Sequence, residues 1–175
     1  MTDDAEVAAP RPRAEATNYE DFVRARSAAL YRKAYLLTGS RVDAEDLVQV
    51  ALVKLYVAWK RAGRAPSVEA YALRVLVNAF VSGRRPARFT RERLVSELPE
   101  SPSPEPAPED GMVLWPIVHR LPPKQRAVVV LRYLDDLSEA EIADALGVAP
   151  GTVKSTAAAA MKNLRTMLDE TGMTR

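Results

Sequence analysis

Residues 138–156 read SEAEIADALGVAPGTVKST and decide the fold of the C-terminal part of the chain. Ser138 and Glu141 form a capping-box pattern, which predicts the start of a helix. Gly147 predicts its end, because glycine readily adopts the left-handed conformation that closes a helix. Pro150 then begins a second helix, since proline is favoured in a first turn. Two helices joined by a glycine turn predict a helix-turn-helix.

The second helix of this pair is a candidate DNA-recognition helix. Residues 150–156 combine a helix N-terminus with small polar side chains, and both suit phosphate and base-edge contacts. An ordinary helical hairpin is the alternative interpretation. Residues 115–175 hold 8 basic and 7 acidic side chains, a net charge of +1. So small a charge releases few counterions, and we expect this part of the chain to bind DNA weakly by itself.

The N-terminal part of the chain shows three further amphipathic helices and no period-two alternation. Thr17 with Glu20 predicts the start of the first helix, which Gly39 ends. Ser40 predicts the start of the second, and Ser67 that of the third. The sequence therefore predicts an all-α fold.

Charge and proline content divide the chain into segments. Residues 1–18 carry a net charge of −2 and few large apolar side chains, which predicts a disordered tail. Residues 19–95 hold 15 basic and 7 acidic side chains, a net charge of +8. Residues 96–113 contain five acids and five prolines, and predict a flexible linker that reaches on the order of 50 Å if extended. We expect two small helical domains, 19–95 and 114–170, joined by a proline-rich acidic linker.

Composition excludes several classes of function. The sequence has no cysteine and a single histidine, His119, so thiolate metal sites, disulfides and paired-histidine sites are excluded. We predict no enzymatic activity, no metal and no cofactor. The first ten residues lack the pattern of a secretory signal, and no stretch is apolar enough to span a membrane. A cytoplasmic protein is expected.

Several motifs together resemble those of the extracytoplasmic-function sigma factors of bacterial RNA polymerase, most closely the actinobacterial SigE-type branch. The motifs occur in the family's order: AEDLVQ at 44–49, the helix 71–78, LPPKQRAV at 121–128, LRY at 131–133 and GTVKS at 151–155. The resemblance covers about residues 19–93 and 114–168. It implies a factor that directs core polymerase to promoters with two recognition elements and assists their melting.

The resemblance also implies partners and site residues. In such proteins region 2, here 19–95, binds the clamp helices of the largest polymerase subunit, and the matching residues are Asp46, Leu47 and Gln49. Region 2 also binds minus-ten DNA, for which the candidates are Arg74, Asn78, Arg84, Arg85 and Arg88. Region 4, here 114–170, contacts the flap of the second-largest subunit and minus-thirty-five DNA, the latter through Thr152, Lys154, Ser155 and Thr156. An anti-sigma factor is a further candidate partner.

Other interpretations of the same residues stay open at this point. The acids near the start of the second helix also favour its dipole, and Asn78 also suits a packing amide with satisfied hydrogen bonds. A free-standing helix-turn-helix regulator is the main alternative function. A scaffold that binds only proteins is a second one.

Overall fold

The computed structural model describes residues 18–83 and 114–172. Within these two stretches the secondary structure is helical without a strand, which confirms the all-α prediction. The predicted linker 96–113, and the predicted tail apart from Asn18, lie outside the described residues. The helices are α1 (Tyr19–Thr38), α2 (Arg41–Val57), α3 (Trp59–Ala62), α4 (Val68–Ser82), α5 (Trp115–Val118), α6 (Pro123–Tyr133), α7 (Glu139–Leu146) and α8 (Pro150–Glu170).

Side-chain caps set where most of the longer helices begin. Ser40 accepts from the Asp43 backbone N–H and Ser67 from that of Ala70, as their positions predicted. Ser138 and Glu141 form the complete reciprocal capping box of α7. The predicted cap at Thr17 is wrong, because Asn18 caps α1.

The first module consists of α1 to α4, residues 18–83, and packs around buried faces of α1, α2 and α4. Phe22, Leu37, Leu55 and Leu76 are at most 1% exposed in its core. Trp59 stacks edge-on against Tyr19 with ring centroids 5.3 Å apart, which holds α3 against α1. The second helix, whose start Ser40 predicted, is interrupted at Ala58, and the short α3 follows it.

The second module consists of α5 to α8, residues 114–172, and contains the helix-turn-helix formed by α7 and α8. Gly147 lies between these helices with φ +65°, and the Val148 N–H bonds the Ala143 carbonyl at 3.0 Å. This is the hydrogen bond of a Schellman turn, which orients the chain for α8. Val153 is fully buried in the joint, and Ala143 provides the small side chain needed for close packing.

The two modules pack against each other. One hydrophobic cluster contains buried residues of both, for example Leu30 and Leu76 of the first module with Leu131 and Ile142 of the second. Helix α7 lies against α4, and α6 lies against both α1 and α4. The helix-turn-helix is thus placed beside the helix that carries Asn78.

Candidate nucleic-acid interface

The first turns of α8 present an exposed polar face. Thr152, Lys154 and Ser155 are exposed and Thr156 is half-buried, while Val153 between them faces the core. Ser155 Oγ donates to the Thr152 carbonyl at 3.0 Å, so its hydroxyl keeps accepting capacity toward a ligand. The structure therefore brings all four predicted duplex-reading residues to one surface at a helix N-terminus, where the helix dipole favours phosphate.

The basic residues further along this module differ in their surroundings. Lys162 and Arg165 are exposed on α8. Arg132 on α6 instead donates to Glu139 at 2.9 Å, so part of its charge is compensated within the module. Positive charge next to the reading face of α8 is thus carried mainly by Lys154, Lys162 and Arg165.

Asn78 lies on α4 where the two modules meet. Its side chain is exposed, and Nδ2 donates to the Ala145 carbonyl of α7 at 3.1 Å. One N–H of the amide and its carbonyl oxygen are left for other partners. Asn78 is therefore an exposed amide, and one of its hydrogen-bonding groups is occupied by the neighbouring module.

A pocket lies between α2, α3 and α4, with Asn78 on its wall. Its volume is about 470 Å³, and its lining consists of Lys54, Ala58, Arg61, Tyr71, Arg74, Val75 and Asn78. Among the described residues this lining holds three cations and no acid. A cationic concavity with an aromatic ring and an amide has the groups that a nucleotide requires: charge for phosphate, a surface for stacking and donors for a base edge. We call it the α2–α4 pocket.

Sequence reasoning placed Arg74 and Asn78 in the nucleic-acid site and missed Lys54 and Arg61. These two cations come from α2 and α3, and they meet Asn78 only because α2 packs against α4. Tyr71 is half-buried and also lines the pocket. The remaining predicted minus-ten candidates Arg84, Arg85 and Arg88 lie outside the described residues.

A different surface occupies the outward side of α2. Val42, Asp46, Gln49, Val53 and Val57 share one face of the helix, because each follows the previous one by three or four residues. Val42 is 68% exposed and Val57 is 75% exposed. We call this the outer face of α2. Two exposed valines on either side of a carboxylate and an amide have the composition of a protein-binding surface.

The structure places the predicted polymerase contacts on both sides of α2. Asp46 and Gln49 lie half-buried on its outer face. Leu47 is 8% exposed and packs in the core, and its part in a polymerase contact stays a prediction. Leu47 is five residues from Val42, or about 140° around the helix, which explains why it turns inward.

Burial shifts the pKa values of two groups, His119 and Tyr19. Desolvation lowers the pKa of His119, as does the nearby Arg126, against the opposing hydrogen bond between Nε2 and the Leu36 carbonyl. Burial raises the pKa of Tyr19 to about 12, and its hydroxyl donates to the Leu52 carbonyl at 3.0 Å. The lowered pKa favours the neutral ring at the contact between modules, so acid that protonates His119 is expected to weaken that contact.

Among the described residues, no group of three or more His, Cys, Asp or Glu side chains is placed to hold a metal ion. None of the helices in those residues is both long and apolar enough to cross a membrane.

Comparisons with known proteins match both modules. The family model "Sigma-70 region 2" matches residues 22–90, and "Sigma-70, region 4" matches residues 114–164. RNA polymerase sigma-E factor of Streptomyces coelicolor is 40% identical over 153 residues, which cover 86% of each chain. ECF RNA polymerase sigma factor SigL of Mycobacterium tuberculosis is 34% identical over 160 residues, covering 85% of this chain and 88% of the relative.

A solved structure shares the fold. The sigma factor RpoE of Bartonella quintana, in complex with the anti-sigma factor NepR, aligns with a TM-score of 0.58 and 27% identity over 81% of this chain and 90% of that one. These findings agree with the resemblance found in the motifs. The two region models match in the family's order, the relatives are similar over most of their length, and the solved structure has the same fold. The chain belongs to the sigma-70 family of RNA polymerase sigma factors, in its extracytoplasmic-function group.

Proposed function

We propose that this sigma factor joins core RNA polymerase, places it on a promoter with two recognition elements and captures an unpaired base of the minus-ten element. The observation that carries the proposal is the α2–α4 pocket, where Asn78 and three cations surround a space of nucleotide size. A site of this kind stabilises the melted promoter by binding, because an extruded base gains contacts there that a paired base does not.

Each group of the pocket has a role in this proposal. Lys54, Arg61 and Arg74 attract the phosphates on either side of the captured base. Tyr71 offers a ring for stacking, and the Asn78 amide donates to and accepts from the base edge. Stacking on Tyr71 accepts any base, whereas hydrogen bonds to the Asn78 amide depend on the groups at the base edge. Selectivity for the captured base is therefore expected to depend chiefly on Asn78.

The outer face of α2 is the proposed contact with the clamp helices of the largest polymerase subunit. Asp46 and Gln49 supply polar contacts, and the flanking Val42, Val53 and Val57 supply apolar area that solvent otherwise covers. The contact lies on the opposite side of α2 from its buried core residues. Polymerase is therefore able to bind it without unpacking the first module.

The second module is proposed to hold the minus-thirty-five duplex through Thr152, Lys154, Ser155 and Thr156. Ala157 to Ala160 follow directly and carry no hydrogen-bonding side chains. Few base contacts are therefore available, and DNA shape is expected to contribute to recognition. Contacts of this module with the flap of the second-largest subunit supply further affinity, which compensates for its small net charge.

We propose no catalytic activity for the chain itself, because polymerase performs bond formation and the sigma factor supplies binding energy. Its place of action is then the cytoplasm, where core polymerase and promoter DNA occur together. RpoE of Bartonella quintana was solved with an anti-sigma factor. We expect a partner of that class for this chain as well.

A free-standing helix-turn-helix regulator explains less of the molecule. It gives no role to the α2–α4 pocket or to the outer face of α2, both in the first module. The relatives that match most of the chain's length are named as sigma factors, which favours the sigma function over this alternative.

Run-off transcription tests the proposal, with core polymerase, this protein and a DNA fragment from upstream of its own gene. A discrete transcript that requires both proteins is expected. Asn78→Ala should reduce open-complex formation far more than binding to core polymerase, because the amide touches DNA and not polymerase. Asn163→Ala is the matched control, since Asn163 bonds Gln125 at 2.8 Å within the second module. Equal losses of both activities in Asn78→Ala would contradict the role of the pocket.

A further inference from the structure

We propose that Glu139 limits the affinity of the second module for duplex DNA, because it holds the Arg132 guanidinium that otherwise binds a phosphate beside the reading face of α8. The inference rests on the proposed function, since it concerns the same minus-thirty-five duplex. It is carried by the geometry of the pair of Arg132 and Glu139 and by the place of that pair in the helix-turn-helix.

The ion pair joins α6 to the first residue of the helix-turn-helix. Arg132 lies in the last turn of α6, and Glu139 is the first residue of α7. Arg132 donates from one terminal nitrogen to Glu139 Oε1 at 2.9 Å. Each side chain is 37% exposed. The pair therefore lies at the surface, where a ligand is able to reach both groups.

Local structure of the second module holds the pair in place. The two residues are only seven positions apart in sequence. The turn between them is fixed by a hydrogen bond from the Leu137 N–H to the Leu131 carbonyl at 3.1 Å. Both charges thus belong to one module, and their contact does not depend on the first module.

The start of α7 is expected to lie against the DNA backbone. In a helix-turn-helix the second helix enters the major groove, and the first helix crosses the backbone beside it. Here α7 is the first helix and α8 the second, with Lys154 exposed near the start of α8. Ser138 and Ala140, on either side of Glu139, are exposed as well. With α8 in the groove, we expect Arg132 and Glu139 to lie beside a phosphate.

Arg132 has the chemistry that a phosphate contact requires. A guanidinium presents five N–H donors in a planar fork, which suits bidentate binding of phosphate. The bond to Glu139 occupies one of its terminal nitrogens. Because Glu139 is itself an anion, it competes with phosphate for these donors and also repels it. Arg132 releases counterions when it neutralises a phosphate, but not when a carboxylate neutralises it.

The charge of the second module makes the state of this one cation important. Residues 115–175 have a net charge of only +1. Helix α7 carries three acids, Glu139, Glu141 and Asp144, and no base. Arg132 is the cation that the second module pairs with this helix. Its release from Glu139 therefore changes the attraction between α7 and the DNA backbone by a large share.

Fluorescence anisotropy with the full-length protein and a labelled duplex tests the proposal. One duplex carries the minus-thirty-five element of the promoter that run-off transcription maps, and a second has an unrelated sequence. Glu139→Gln should bind both duplexes about fivefold more tightly at about 100 mM salt, because a phosphate contact carries no sequence information. The slope of log affinity against log salt should steepen by about 0.9, the value for one further phosphate contact.

Glu170→Gln is the matched control for the change of charge. Glu170 lies 3.8 Å from Arg120 in the same module, at the far end of α8 from its reading face. This variant removes the same charge from a half-exposed pair, and it should leave affinity and slope unchanged. Circular dichroism checks that each variant keeps its helices. Glu139→Ala is the second variant if Glu139→Gln does not fold, and it should change affinity and slope in the same direction.

A double-mutant cycle shows whether Glu139 acts through Arg132. In an Arg132→Gln background no guanidinium is available for release. The gain in affinity from Glu139→Gln, and the gain in slope, should then fall to less than half. Equal gains in both backgrounds would show that Glu139 only repels DNA, and would overturn the role of Arg132.

The remaining outcomes separate this proposal from the function on which it rests. Unchanged duplex binding by a folded Glu139→Gln variant would overturn the proposal. Weaker binding would overturn it too, since Glu139 would then orient Arg132 toward phosphate instead of withholding it. Failure of the wild-type protein to direct transcription with core polymerase would overturn the proposed function, whatever these affinities.

Discussion

Replacing Gly39 with alanine should weaken the contact between the modules as well as the end of α1. Gly39 ends α1 with φ +73°, a conformation that favours glycine. A Cβ added there would lie 2.7 Å from Nδ1 and Cε1 of the His119 ring. Gly147 provides a matched control, because it ends α7 with φ +65° and an added Cβ would meet no heavy atom within 4 Å.

The two substitutions share one cost and differ in another. Placing an L-residue in the left-handed region costs about 1–2 kcal/mol at either site. Gly39→Ala also displaces the His119 ring, which gives up its bond to the Leu36 carbonyl, worth about 0.5–1.5 kcal/mol, together with its packing against Trp115. We therefore expect Gly39→Ala to lower the free energy of unfolding by about 2–4 kcal/mol and Gly147→Ala by about 1–2 kcal/mol.

Urea unfolding followed by tryptophan fluorescence measures both values, since Trp59 reports on the first module and Trp115 on the second. Adding His119→Ala removes the ring that the new methyl group meets. In that background Gly39→Ala should cost about the same as Gly147→Ala. Equal costs of the two glycine substitutions in the wild-type background would refute the contact between Gly39 and His119.

Three further predictions concern single polar groups. Because burial lowers the pKa of His119, the folded protein favours the neutral ring, and the free energy of unfolding should fall as the pH drops below about 6.5. His119→Gln should reduce this dependence of the free energy of unfolding on pH, which urea titrations between pH 7 and pH 5 measure. Tyr19→Phe removes the donor to the buried Leu52 carbonyl and should lower the free energy of unfolding by about 1–2 kcal/mol, whereas a neutral result would contradict that bond. Ser138→Ala removes the cap of α7, so it should lower the free energy of unfolding by about 1 kcal/mol and with it the thermal midpoint. The same variant should bind duplex DNA more weakly in a gel-shift assay.

Local signals in the sequence predicted the helices well. Ser40, Ser67 and Ser138 were expected to start helices and do so, because a cap depends on residues only three positions away. The error at Thr17 has the same origin, since Asn18 is an equally good cap one residue later. The break at Ala58 was missed because no proline or glycine marks it. Trp59, which packs against Tyr19, supplies a tertiary reason for α3 that short-range patterns do not contain.

The candidate site was only partly predictable. Arg74 and Asn78 follow from a motif on a single helix, but Lys54 and Arg61 join them only through the packing of α2 against α4. The docking of the modules was not predicted either. It depends on pairs such as Lys33 and Asp135, and no periodicity within a segment encodes a contact across 102 positions.

Helix α2 shows how an apolar pattern becomes ambiguous when a helix has two partners. Its buried face contains Leu47, Val48, Ala51 and Leu55, while its outer face carries Val42, Val53 and Val57. Periodicity alone does not say which apolar side of α2 turns inward. Leu47 was matched to the polymerase contact by the family resemblance, and the structure places it in the core. Val42 and Val57 remain highly exposed while the two modules are packed together, so the second module does not explain their presence. They instead favour a second partner for α2, and polymerase is the partner that the family provides.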